Sequence, residues 1–191
     1  MKDLFGVLGV AFMMGSSVPY LIALFKKEIR PHAFSWLLWC MINMVVLAAQ
    51  WTEGAGSGMW PTVGSALVTG SIGLYALKWG ERRYTRSDWI FMFMALMAIP
   101  LWALTRDPLL SVVLVCIIDI LAFMPTITKS WRKPHEENAL SFVIGAAGFL
   151  SSLLAIEQYQ FVNYAYPTLV MTANLLFVSM LILRRRQLAR D

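Results

Sequence analysis

The sequence predicts an all-α integral membrane protein: seven transmembrane helices in two parallel three-helix bundles joined by a linker helix, N-terminus outside and C-terminus cytoplasmic. Three observations predict it. Of 191 residues, 59% are hydrophobic and only 14% are charged, with a mean hydropathy of +0.64. A soluble domain carries roughly 25% charged residues, and water cannot solvate this much apolar surface. The charges are separated by seven long apolar runs, most near the ~20 residues that cross ~30 Å of hydrocarbon as a helix. Finally, the basic residues gather in alternate connections. In lipid only helices or closed barrels satisfy their own backbone, and these runs are too long and continuous for barrel strands.

The first run, Leu4–Phe25, is uncharged and continues past Gly15-Ser16-Ser17 before Lys26. That outlasts the ~7–15-residue apolar core of a signal peptide, so a retained helix is expected. Ala33–Thr52 and Trp60–Leu77 are the second and third runs. Trp89–Thr105, the shortest, carries Pro100 and forms the linker. Leu109–Thr128 contains one acid, Asp119, and the uncharged Ala139–Ile156 and Tyr164–Leu183 complete the set. The expected divisions are residues 1–86 for the first bundle, 87–107 for the linker and 108–191 for the second bundle.

The net charge of +5 sets topology. Lys26, Lys27 and Arg30 follow the first run; Lys78, Arg82, Arg83 and Arg86 the third; Lys129, Arg132 and Lys133 the fifth; Arg184, Arg185, Arg186 and Arg190 the seventh. Only Lys2 and Arg106 fall on the opposite side. The positive-inside rule makes the rich side cytoplasmic, and charge so distributed argues against nucleic-acid binding. The compact length and short loops point to a prokaryotic cytoplasmic (inner) membrane.

"VPYLIALFKKEIRPHAFSW" (18–36) and "MPTITKSWRKPHEENALSF" (124–142) align without gaps at an offset of 106 residues. Pro19 meets Pro125, Lys26-Lys27 meets Arg132-Lys133, and Ser35 meets Ser141; at the same offset "WPT" (60–62) meets "YPT" (166–168). The pattern is three helices, a linker, and three helices again. An odd number of helices per unit inverts a direct copy, and one added helix restores parallel repeats like those surrounding a midplane path in transporters. A proline inside a membrane helix removes a hydrogen bond and creates a bend, so Pro19 and Pro125 are candidate gate hinges.

This 3+1+3 pattern, with a proline near the end of the first and fifth helices, a short basic loop, and serine opening the next helix, resembles the SWEET and PQ-loop superfamily. The resemblance covers essentially the whole chain. It implies a small-solute transporter working by alternating access. SWEET sugar pockets typically use an asparagine early in the third and seventh helices, where this sequence has Thr62 and Thr168.

Candidate ligand contacts follow from polar residues inside the runs. An ionised Asp119 at a helix centre costs roughly 2.5–3.5 kcal/mol on insertion, so it must face protein or water. Two readings stay open: a carboxyl that contacts substrate or couples to protons, and one hydrogen-bonded to a neighbouring helix. Its matching position in the first half is Met13. Trp36, Trp39, Asn43 and Gln50 share one helix face, and their aromatic walls with an amide suit a planar or sugar-like ligand. The Trp–Trp–Asn spacing also resembles vitamin-precursor carriers of the PnuC type. The alternatives are that Trp36 is an interfacial anchor and Asn43 binds a neighbouring helix. Thr62, Ser65 and Thr69 form a hydroxyl stripe. In the last helix Thr168 and Thr172 share one face and Asn174 lies on another; either could line the path.

The glycines of "TGSIG" and "IGAAG" sit inside apolar runs and read as close packing, not phosphate loops. His32 and His135 fall in loops, where solvation is expected. Cys40 and Cys116 read as free mid-membrane thiols. No nucleophile–base pair, metal cluster or cofactor motif emerges, so the chain reads as a non-enzyme. The expected partners are a small-molecule substrate and the bilayer, with small-residue faces that suit a homo-oligomer. The other class compatible with the pattern is a non-transporting membrane receptor or scaffold of the same fold.

Overall fold

A computed structural model describes residues 1–27, 31–80, 86–105 and 107–189. Arg30, Arg82, Arg83, Arg106 and Arg190, and the side chains of Pro125 and Lys129, lie outside the described set. Among the described residues the chain is helical, with no β-strand. The elements are α1 Lys2–Phe25, α2 Ala33–Thr52, α3 Trp60–Trp79, α4 Arg86–Thr105, α5 Pro108–Arg132, α6 Ala139–Ala155 and α7 Phe161–Leu188. Short 3₁₀ turns occupy Gly56–Met59 and Pro134–Glu136.

Each apolar run forms one helix, and Ala33–Thr52 has the bounds the charge pattern predicts. The segments Lys2–Ile22, Ala33–Thr52 and Phe161–Leu188 are long and apolar enough to cross a membrane; Pro108–Met124 and Ala139–Ala155 are shorter apolar stretches. Large apolar side chains lie exposed along several helices, including Leu4, Val18, Leu67, Leu74, Phe93, Ile117 and Leu176. So much exposed apolar surface marks a membrane-associated protein.

Local chemistry fixes the helix starts. Asn138 Oδ1 accepts from Leu140 N at 3.0 Å, capping α6, and Asp107 Oδ1 accepts from Leu109 N at 2.9 Å ahead of α5; such caps satisfy backbone donors that have no partner in the helix. His32 precedes α2, and its Nδ1 pairs with Ser35 Oγ at 3.0 Å. Half-buried and engaged there, His32 departs from the solvated state expected of it. α1 runs unbroken through Pro19 and α5 through position 125.

α3 packs on both α1 and α2, and α7 on both α5 and α6. Across the molecule α1 lies along α6 and α2 along α5, while α4 rests on α2 and α5. Glycines permit the closest approaches. A Cβ on Gly73 would stand 2.9 Å from Leu37 Cδ2, which holds α3 tightly to α2. Gly9 abuts the Pro61 ring, and Gly148 takes the Met13 side chain, bringing α1 and α6 together. The two glycine-containing stretches therefore pack helices, as their setting predicts. The buried core gathers Met13, Ile42, Val46, Val115, Ile118, Phe149 and Tyr166 from α1, α2, α5, α6 and α7.

Candidate functional site

Trp36 and Trp39 lie one helical turn apart on α2, with ring centroids 5.4 Å apart in an edge-to-face arrangement. The Trp36 indole N–H donates to Tyr20 Oη on α1 at 3.1 Å, and those rings are 4.7 Å apart. The Trp39 side chain comes close to the Asp119 carboxyl where α2 packs on α5. Two candidates chosen on separate sequence grounds thus meet across α2 and α5. Cys116 lies one helical turn before Asp119 on α5 and joins the core cluster that contains Tyr166.

Asn43 is 2% exposed, and its Nδ2 donates to the Trp39 carbonyl at 2.8 Å. Its Oδ1 is buried without a hydrogen-bond partner. Trp39 therefore stands between both polar groups: its backbone carbonyl accepts from Asn43 and its side chain lies beside Asp119. A buried acceptor left empty costs about 1–3 kcal/mol, which a donor on a bound molecule would recover.

Asp119 also borders a cavity of about 280 Å³ between α5 and α7. Phe123 and Ile127 line it from α5, and Leu169, Ala173 and Phe177 from α7. Asp119 is the one polar side chain among the lining residues described. Phe123 and Phe177 have ring centroids 5.1 Å apart, forming an aromatic wall.

The remaining candidates fall elsewhere. Thr62 is fully buried, and its hydroxyl donates to Gln50 Oε1 at 2.9 Å. Thr69 donates to the Ser65 carbonyl at 2.8 Å, a bond within its own helix. Thr168 and Thr172 are exposed on α7 and do not line the cavity that Asp119 borders. Asn174 is half-buried with its Nδ2 close to Gly145 of α6, and it does not line the cavity. Gln50, on the same α2 face as the two tryptophans by sequence, is instead engaged by α3 and α7.

That engagement belongs to a second polar assembly, at the end of the molecule carrying the α2–α3 and α6–α7 connections. Gln50 Nε2 donates to the Asn163 carbonyl at 3.2 Å. Asn163 Nδ2 donates to the carbonyls of Glu53 and Gln158, both at 2.8 Å. Ser152 Oγ donates to the Gly58 carbonyl at 2.6 Å, and Glu157 N to the Ala55 carbonyl at 3.0 Å. Gln50, Thr62, Ser152 and Asn163 are all 0% exposed. Asn163 was missed in the sequence because it precedes the uncharged run beginning at Tyr164; an amide in the opening turn of a helix, facing an amide at the end of another, was the available signal.

Compared with protein families, curated proteins and solved structures, the chain matches none.

Proposed function

We propose that the chain is a carrier for a small metabolite, built as a SWEET-like seven-helix membrane protein and working by alternating access. The observation that carries this reading is the position of Asp119, an acid inside an apolar run, on the α5–α7 cavity and beside Trp39 where α5 packs on α2 of the other repeat. Intramembrane acids of this kind mark substrate and proton paths. The packing supports the repeat: α3 touches α1 and α2 as α7 touches α5 and α6, and α1 on α6 mirrors α5 on α2. With the basic connections cytoplasmic, the Gln50–Thr62–Asn163 assembly falls at the outer end, where it would hold the path shut while the cytoplasmic end opens. Pro19 and Pro125 supply the bends near that cytoplasmic end.

The test is solute counterflow in sealed proteoliposomes, run with sugars, nicotinamide riboside, neutral amino acids and small amines, with and without an inward proton gradient. Saturable exchange of one class is expected. Saturable binding with no exchange of any bound solute across the bilayer would replace the carrier with a receptor. If transport is proton-linked, Asp119→Asn removes the gradient-driven component and leaves counterflow; an unchanged response to the gradient removes coupling from the proposal.

A further inference from the structure

Asp119 has no basic partner within the apolar runs. From Leu4 to Phe25, Ala33 to Thr52, Trp60 to Leu77, Trp89 to Thr105, Leu109 to Thr128, Ala139 to Ile156 and Tyr164 to Leu183, the sequence contains no Lys, Arg or His. A buried charge is stable only when paired or hydrogen-bonded. A carboxylate offers about four acceptor sites to fill. A cationic ligand would supply the counter-charge that the apolar runs lack.

The space beside the carboxyl is the cavity between α5 and α7, about 280 Å³ in volume. Its other described lining side chains are aliphatic, aromatic or thioether. A polyhydroxylated solute placed there would bury hydroxyls without partners, each costing roughly 1–3 kcal/mol. An anion would meet a carboxylate in a medium of low dielectric. A neutral apolar solute would fill the cavity but leave the acid unmatched. An apolar body carrying one positive centre satisfies both parts, and the Phe123 and Phe177 faces add attraction for a cation. The volume lies near the lower end of ordinary ligand pockets, ~300–1,000 Å³, so the ligand is small.

We infer that the α5–α7 cavity binds a small organic monocation with an apolar body, its positive centre against Asp119. This narrows the solute of the proposed carrier and rests on that reading only for movement across the bilayer; binding stands on the cavity alone.

The experiment compares benzyltrimethylammonium with its uncharged carbon isostere, neopentylbenzene, on the purified full-length protein in lipid nanodiscs. Radiolabelled benzyltrimethylammonium is expected to bind saturably and to resist displacement by the isostere. Asp119→Asn should weaken it on the order of 30-fold, the loss expected when one partner of a buried charge pair is removed. Ala173→Phe, which fills the cavity from α7 and leaves the acid in the sequence, should also abolish binding. If the isostere competes as well as the cation, or both variants bind like the parent protein, the inference is overturned; the isostere comparison needs no variant to fold. Proteoliposome exchange of the same cation separates the two claims. Binding without exchange keeps the cation site and removes the carrier, whereas exchange of another solute class with no cation binding does the reverse.

Discussion

Thr62 donates to Gln50 Oε1 inside a wholly buried network, so its hydroxyl cannot be removed without leaving an amide oxygen empty. Thr62→Val should lower stability by about 1–3 kcal/mol, read as a reduced melting temperature in detergent. Thr168→Val, at an exposed position, should stay within about 0.5 kcal/mol of the parent. Equal losses in the two variants would show that the network contributes nothing. The two threonines align in the repeat, and nothing in the sequence separates their fates. Burial depends on where each helix begins: Pro61 falls in the opening turn of α3, but Pro167 lies well inside α7. The extra residues at the start of α7 bring Asn163 to the junction. Asp119 and Trp39 were legible one residue at a time, as an acid in a run that should hold none and as one of a pair of tryptophans on one face. Their proximity was not, because helix neighbours across the bundle follow from tertiary packing.

Helix existence was legible almost everywhere, because a charge in hydrocarbon is costly enough for uncharged runs to mark helix interiors. Helix ends were less so. α5 and α7 run on through charged residues to Arg132 and Leu188, where Arg184 Nε donates to the Trp131 carbonyl at 3.1 Å and Arg185 Nη2 to the Glu137 carbonyl at 2.7 Å. The glycine positions also differ in how much change they accept. A Cβ on Gly58 would stand 2.7 Å from Ile156 Cα and 2.8 Å from its backbone N, which cannot swing aside. Gly58→Ala should therefore destabilise by about 1–3 kcal/mol through overpacking. Gly148 faces the end of the flexible Met13 side chain, so Gly148→Ala should lose much less. Detergent unfolding of both variants checks the order; a reversed ranking would mean that the α6 junction yields more readily than its backbone contact implies.

At the scale of the whole molecule, the asymmetry of basic residues predicts an orientation that labelling can check. His135 and Tyr159 are exposed and lie in the connections on either side of α6. With Cys40 and Cys116 replaced by alanine, Tyr159→Cys should react in intact cells with a membrane-impermeant maleimide, and His135→Cys only after permeabilisation. The opposite pattern would invert the orientation, and reaction of both would mean that α6 does not span. The junction built on Asn163 carries a further consequence. One amide nitrogen serves the carbonyls of Glu53 and Gln158, the same residue's carbonyl serves Gln50, and Gln50 in turn holds Thr62. Displacing that single residue strands groups on α2, on α7 and in the α6–α7 connection together. The connection should then part in all-or-none fashion, with scarcely any half-released species, and the frequency of that event rather than its extent would set how often this end of the bundle loosens.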